Sequence, residues 1–578
     1  MENKEVARVL AEIAELLALS GENPFKIRAY AQGARIIEAL DRPVSEWIAA
    51  GELARIKGIG STLSRQITQL VGEGTLPVHQ ELKKTFPQGI RDMLRVPGLG
   101  PKKVRELIDR LGLRSLGELE YAGHENRLVT LPGFGKKSQE NILSGIERLK
   151  KFQGRFLFGE AFPQARALLE EIQKHPQTLR AEIVGSLRRR KEIVKDIDLV
   201  AESREPEALM DLFTSLPLVE RIAAKGPTKA AVLLKTGIQA DLRVVGPGVF
   251  PFALHHFTGS KEHHLALRSL ANASGFKINE YGLFKKEKPI ACRDEAALYG
   301  HLGLDYIPPE LREDWGEIEA AQGKKLPRLV EEKDLQGAFH FHTHRSDGTP
   351  TLSQWVQAAQ TKGYRYLGIS DHSQSAFYAG GLKLEELDRQ EEEIRLVNDR
   401  QPPVRLFWGI ESDIQPDGSL DYPDKVLARF DFIIASVHSK FTMTEAEMTR
   451  RIIRAIEHPC TTMLGHPTGR LLLARDPYPV DMDAVLQAAA DRGVLIELNA
   501  NPHRLDLDWR LMKKAKELGL KIVINPDAHH LEGLDDVAYG VGIARKGWLT
   551  KEDVFNTWEA QDVADYLEKR RRRTDGGF

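Results

Sequence analysis

Seven short apolar runs in the second half of the chain, each ending in polar side chains, limit its folds most sharply. They are GAFHFH (337–342), YLGISDH (366–372), LFWGIESD (406–413), FIIASVH (432–438), TTMLGH (461–466), VLIELNAN (494–501) and KIVINPDAH (521–529). Helical patterns separate them, and strand–helix alternation calls for a parallel sheet. Seven such units point to a closed barrel, whose functional groups gather at the C-terminal strand ends. The polar ends supply His340, His342, Asp347, His372, Glu411, His438, His466, Asp527 and His529. A single buried histidine is an ordinary core residue. Nine donors on nearly every strand end form a convergent set. His340 and His342 are two apart, as are Asp527 and His529, so each pair shares a strand face. Imidazole and carboxylate donors without thiolates suit Zn²⁺, Mn²⁺ or Fe²⁺. Nine donors exceed the needs of one or two tetrahedral ions, so up to three metals are expected. Strand parity would add His344 only if the strand continues that far, and His344 is left outside the expected ligand set.

The full chain of 578 residues is too long for one core and predicts three to five units. It contains two cysteines, Cys292 and Cys460, too few for a thiolate cage or a disulfide framework. The start, MENKEVARVLAEIAELL, is an amphipathic charged helix, and no apolar run is long enough for a bilayer. The expected compartment is therefore the cytoplasm. Residues 1–300 carry 46 Lys and Arg against 37 Asp and Glu; residues 301–578 carry 36 against 46. A basic front suits a polyanion, and an acidic, histidine-rich back suits cations. Four arginines near the end, in EKRRRRTDGGF, read as a solvated helix terminus.

Three segments of the front share a pattern: ARIKGIGSTLSRQI (54–67), LRVPGLGPKKVREL (94–107) and VTLPGFGKKSQENI (129–142). Each places two glycines two apart before a helix. A close backbone turn followed by free helical N–H groups can grip phosphate. The expected DNA-binding residues are Gly58, Gly60, Gly98, Gly100, Lys102, Lys103, Gly133, Gly135, Lys136 and Lys137. One copy alone would read as a helix–helix turn. Three copies read as helix-hairpin-helix motifs, which hold the phosphodiester backbone without reading bases.

Between these regions lies EIVGSLRRRKEIVKDIDLVAE (182–202). On a strand, Asp196 and Asp198 share a face while Ile197 and Leu199 take the other. Two carboxylates so close call for cations, and two divalent ions there would support phosphoryl transfer. Asp241, in GIQADLRVV, fits as a third carboxylate from a neighbouring strand. Upstream, Gly185 permits a close turn, Ser186 offers a hydroxyl, and Arg188 and Arg189 offer guanidinium forks for a triphosphate. Asp-x-Asp alone would read equally as the acidic edge of a half-buried strand.

With these motifs in place, the chain resembles the bacterial family X DNA polymerases. The middle run is similar to a nucleotidyltransferase palm, and HHFTGSKEHH (255–264) and GFKINEYGLF (275–284) to its thumb. The back half resembles the polymerase and histidinol phosphatase (PHP) domain, a phosphoesterase with a distorted (β/α)7 barrel. The resemblance implies that Asp196, Asp198 and Asp241 are the catalytic metal ligands for Mg²⁺ or Mn²⁺. It implies that Gly185, Ser186 and Arg189 hold the triphosphate and that His256, Phe257 and Gly259 line the sugar. The chain departs from the family at His256, where a tyrosine is usual, at His264, where an asparagine is usual, and at Lys261. Gln66 stands where eukaryotic relatives have a lyase lysine; a Schiff base needs an amine, so the expectation is no such lyase, or one relocated to another lysine.

The expected fold is multidomain, α+β and α/β. A helical domain (1–90) and helix-hairpin-helix fingers (91–150) precede a palm (151–245) and thumb (246–318). A polar linker (319–335) leads to the PHP barrel (336–578). The implied function is a monomeric enzyme that binds gapped or primed duplex DNA and deoxynucleoside triphosphates. It fills short gaps in repair and carries a Mn²⁺-dependent 3′→5′ exonuclease. Apurinic-site endonuclease and 3′-phosphatase activities are further options for the barrel. Two competing readings are a polymerase fused to a small-molecule phosphatase, and a DNA-end-binding scaffold with an inactive palm.

Overall fold

A computed structural model describes residues 1–578 except 2, 41, 151–153, 401 and 576–578, together with the side chains of 148, 150 and 573–575. The chain divides into two compact units, residues 1–149 and 150–578.

The first unit is helical. Val6, Leu10, Ile13 and Leu17 recur at helical spacing and bury one face against Tyr30, Ala34 and Ile37. A second apolar cluster, from Phe86 to Ile146, also takes Leu16 and Leu19 of the first helix. The expected boundary near residue 90 thus lies close to a change of core, and one helix serves both. The three repeats lead into α1 (Ser61–Glu73), α2 (Pro101–Leu111) and α3 (Lys136–Lys150). Gly58, Gly98 and Gly133 adopt φ of +100°, +86° and +81°, a region closed to most side chains. Gly60, Gly100 and Gly135 then directly precede the helices. Lys102, Lys136 and Lys137 are exposed in the first turns, while Lys103 leans over the Phe134 ring at 5.4 Å. The place without a lyase lysine is occupied by Gln66, whose side-chain oxygen accepts a 2.8 Å hydrogen bond from the Tyr30 hydroxyl.

The second unit begins with a five-stranded sheet: β1 (Thr178–Ile183), β2 (Asp196–Ser203), β3 (Val219–Lys225), β4 (Lys229–Leu234) and β5 (Gln239–Val245). Their spatial order is β1-β2-β5-β4-β3, with β2 and β5 parallel. A three-stranded antiparallel sheet follows: β6 (Phe276–Asn279), β7 (Gly282–Lys285) and β8 (Lys288–Ile290).

The seven apolar runs form seven strands: β9 (Gly337–Phe341), β10 (Tyr366–Ile369), β11 (Arg405–Asp413), β12 (Phe432–Ser436), β13 (Met463–Leu464), β14 (Leu495–Asn499) and β15 (Ile522–Asn525). They pair in parallel in sequence order. The ring closes where Phe341 bridges Ala528 and the His342 N–H donates to the Ala528 carbonyl at 3.0 Å. Phe339, Phe407, Phe432 and Met463 cluster with Phe555, Val563 and Leu567 near the chain end. A larger cluster that includes Leu367, Ile410 and Ile433 forms the other core of the barrel unit.

Two segments of polar composition are packed against their neighbours. The expected linker, 319–335, and the residues just before it are one of them. Ile318, Ala321 and Leu329 join the cluster around Leu298 and Tyr299, Val330 joins the barrel core, and the Val330 N–H donates to the Leu549 carbonyl. A few well-spaced apolar residues suffice to pin it. The terminal arginines are not all solvated: Arg570 donates to the carbonyls of Thr461 and Gly493. Residues 576–578 and the Arg573 side chain lie outside the described residues.

Candidate active sites

On β2 the parity expected of Asp-Ile-Asp-Leu holds. Ile197 and Leu199 are buried, while Asp196 and Asp198 are half-buried on the opposite face. In the parallel register Asp198 lies beside Asp241 of β5. Burial, then the neighbouring charges of Asp196 and Asp241, pushes the Asp198 carboxyl up to about 6. Burial and Asp241 also raise Asp196. Lys229 lies 3.5 Å from Asp241, and Gln239 donates to Asp241 at 2.7 Å. This excess of negative charge fits divalent cations.

The short helix α4 (Gly185–Arg188) packs against these carboxylates. Gly185 has φ +65°, and a Cβ there would collide with the Asp198 carboxylate. Ser186, half-buried, accepts the Lys191 N–H through its carbonyl. The guanidinium groups of Arg188 and Arg189, expected as forks for a triphosphate, are engaged within the protein. Arg188 makes a two-pronged contact with Glu295 at 3.2 and 2.7 Å. Arg189 donates to Glu313 at 3.0 Å and to the Thr258 carbonyl at 2.8 Å. Thr258 ends α5 (Phe250–Thr258), which also carries His256 and Phe257 and is followed by Gly259. His256 stacks on His264, with centroids 5.5 Å apart, and Arg243 lies over Phe257. The residues named from sequence for the triphosphate thus lie on and just after α4, against Asp198, and those named for the sugar lie on and just after α5, which Arg189 joins through the Thr258 carbonyl.

The barrel brings all nine named donors to one end. His342, Asp347, His372 and His529 place ligand atoms within 4.8 Å of one another, as do His340, His342 and Asp527, and His372, Glu411 and His438. His466 joins through Glu411, 2.9 Å from its Nε2. Three of these residues have left-handed backbone: His340 at +66°, His466 at +25° and Asp527 at +52°. Such conformations cost on the order of 1–3 kcal/mol each in non-glycine residues and concentrate at functional sites. At His340 the strand register also shifts between Ala338 and Phe341. This irregularity lets His340 and His342 both face the centre, their rings 5.3 Å apart, although β9 ends at Phe341. His344 lies beyond that end and is exposed, so parity does not extend to it.

The donor set fits metal. Both ring nitrogens of His342 and of His372 are buried and make no hydrogen bond, although Glu411 lies 2.8 Å from His372 Nδ1. Burial works against charge on His340, yet Glu497, Asp527 and Glu411 hold its pKa well above the ordinary value. Burial, aided by His529 and His372, lowers that of His342. The neighbouring carboxylates thus favour the proton on His340 but not on His342, and a divalent cation would compete with that proton.

Sequence reasoning missed the residues that orient these donors. Glu497 is fully buried and lies 2.5 Å from His340 Nδ1; its other oxygen accepts the His466 N–H at 2.6 Å. Asp413 holds His438 Nδ1 at 2.6 Å. Asp371 accepts from the Thr343 N–H and hydroxyl, Ser346 and Gln390, fixing the loop that carries Asp347. The available signal was a carboxylate within an otherwise apolar strand, as in LIELN. Carboxylates behind ligand histidines set their tautomer and orientation. Glu497→Gln is expected to weaken metal binding by the barrel by roughly 10- to 100-fold, measured by metal titration.

Family profiles match residues 1–76 (helix-hairpin-helix domain), 90–148 (SAM-like helix-hairpin-helix tandem), 253–313 (DNA polymerase beta thumb) and 338–501 (PHP domain). The Bacillus subtilis (strain 168) protein named DNA polymerase/3′-5′ exonuclease PolX is 37% identical over 573 residues, covering 98% of this chain and 100% of its own. The chain belongs to the PolX family of bacterial DNA polymerases. Shorter relatives of this PolX-family chain include a probable phosphatase of Thermoanaerobacter sp. (strain X514), 26% identical over 41% of this chain and 96% of its own. A probable phosphatase of Clostridium acetobutylicum is 28% identical over 40% and 93%. A solved Leishmania infantum polymerase beta ternary P/T complex aligns over 39% of this chain and 98% of its own, at 23% identity and a TM-score of 0.26.

Proposed function

We propose that this PolX-family chain extends a primer 3′ end across short gaps at the palm and removes 3′ nucleotides at the barrel. The observation that carries this reading is the presence, in one chain, of two separate donor sets: three clustered aspartates and a nine-donor barrel centre. Asp196, Asp198 and Asp241 would hold Mg²⁺ or Mn²⁺, and the barrel donors up to three ions among Zn²⁺, Mn²⁺ and Fe²⁺. Bound ions would supply Lewis acidity and neutralise charge on the phosphate undergoing transfer or hydrolysis.

The protein's own residues do the rest. The Asp198 carboxyl, raised to about 6, is ionised above that pH, and α4 sets Ser186 and Arg189 beside it for the triphosphate. His256, Phe257 and Gly259 bound the sugar. The repeat glycines and Lys102, Lys103, Lys136 and Lys137 grip the DNA backbone without regard to sequence. In the barrel, Glu497 and Asp413 hold imidazoles in register, and the buried setting limits water around the scissile ester. Among the described residues no helix is long and apolar enough to cross a membrane. The proposed setting is base excision repair in the bacterial cytosol or nucleoid, with the chain acting as a monomer.

The relative named DNA polymerase/3′-5′ exonuclease supports both activities; the probable phosphatases support hydrolysis at the barrel. The test is a 5′-labelled primer on gapped duplex with Mn²⁺. Extension should require nucleotides, and shortening should appear without them. Release of phosphate from small esters with no shortening would favour the small-molecule phosphatase. Binding of DNA ends with neither reaction would favour the scaffold.

A further inference from the structure

The barrel helix α6 (Val537–Lys546) carries an unusual group for a domain surface: Lys546 has a fully buried side chain. An ammonium has three N–H donors and is costly to bury unless they are used. Lys546 Nζ reaches Glu313 at 2.6 Å, the Arg189 carbonyl at 3.1 Å and the Glu310 carbonyl at 3.4 Å. Glu313 in turn receives Arg189 Nε at 3.0 Å and lies 3.4 Å from Lys191 Nζ. One barrel lysine therefore holds both ends of Arg189, its backbone directly and its guanidinium through Glu313. The same helix brings Gly542 against Arg190, where an added Cβ would lie 3.1 Å from Arg190 Cδ. Arg190 has φ +56°, its N–H returns to the Leu187 carbonyl, and its guanidinium lies over Phe158 and Phe162. Helix α6 is thus packed onto the turn that leaves α4, and α4 abuts Asp198.

A clamp serving only to join two domains would not need to fix one arginine from both directions. We infer that Lys546 is a positioning residue for nucleotide binding at the palm, acting through Arg189 and Glu313, so that the barrel forms part of the polymerase site. The inference rests on the proposed role of Ser186 and Arg189 in holding the triphosphate. Lys546→Met removes the tie to the Arg189 carbonyl and leaves Glu313 paired with Arg189 and Lys191. Gly542→Ala tests the same contact through Arg190 with Lys546 intact.

The experiment is steady-state gap filling by the full-length variants, with degradation in the absence of nucleotides as the second readout. Lys546→Met should raise KM for the incoming nucleotide about tenfold, with kcat and degradation within about twofold of wild type. Gly542→Ala should move KM the same way, by about threefold. Wild-type KM in a soluble Lys546→Met variant overturns the inference, as does an equal fall of both activities with KM unchanged. Should Lys546→Met fail to fold, KM in Gly542→Ala decides alone. Failure of wild type to extend primers would instead overturn the reading beneath it; normal extension with unmoved KM would overturn this step only.

Discussion

Asp198→Asn should lose primer extension by about a thousandfold, the several kcal/mol of transition-state charge stabilisation that a carboxylate-held ion provides. Asp198 is the aspartate most constrained by the fold: Asp241 faces it across the strand pair and Gly185 closes over it. Asparagine keeps the volume and removes the charge. The same substitution should stabilise the metal-free protein at pH 7.5. The Asp198 carboxyl is raised to about 6, so the folded state holds that proton more tightly than the unfolded chain. The resulting stability is full below the unfolded pKa near 3.8 and is lost as pH rises through 6. At pH 7.5 the cost of burying the charge and the repulsion from Asp196 and Asp241 both remain, and asparagine relieves on the order of 2–3 kcal/mol of the two together. Thermal melts in EDTA should therefore rank the variant above wild type, and Mg²⁺ should raise the melting temperature of wild type more than that of the variant. For the same reason extension at limiting Mg²⁺ should fall as pH drops through about 6, and added metal should move that midpoint lower. A variant that melts below wild type in EDTA, or an extension midpoint that metal leaves in place, would contradict this electrostatic reading.

His342→Ala should remove the 3′ shortening activity by about a hundredfold or more, in proportion to the metal affinity lost. His342 belongs to two of the donor groups formed by barrel residues, so its loss would weaken both together. Its ring also lies between those of His372 and His529, at 4.5 and 4.1 Å. Metal analysis after dialysis should show fewer ions bound than in wild type, and extension at the palm should remain within about twofold. A full metal complement with normal shortening would remove His342 from the centre.

Much of this was legible in the sequence because the periods were simple. Seven apolar runs gave seven parallel strands, and Asp-Ile-Asp-Leu gave a two-sided strand. The three glycine pairs gave three helix starts with the same left-handed first glycine. Legibility failed where parity breaks. His340, His466 and Asp527 reach the barrel centre through left-handed backbone, which no alternation pattern encodes. His344 satisfied the alternation yet lies past the strand end. Glu497 and Asp413 look like stray charges until their histidines are placed beside them. The contacts of Arg189 with Glu313 and Lys546 join positions 124 and 357 residues apart in the chain, beyond any local pattern. The linker 319–335 is polar in composition, whereas Ala321, Leu329 and Val330 decide how it packs.

The central claim is that one chain holds two active sites with separate donor sets. The most direct measurement follows one 5′-labelled primer on gapped duplex with Mn²⁺, with and without nucleotides, for wild type, Asp198→Asn and His342→Ala. Asp198→Asn should shorten the primer but not extend it, and His342→Ala should extend it but not shorten it. Normal extension by Asp198→Asn, or undiminished shortening by His342→Ala, would contradict that claim.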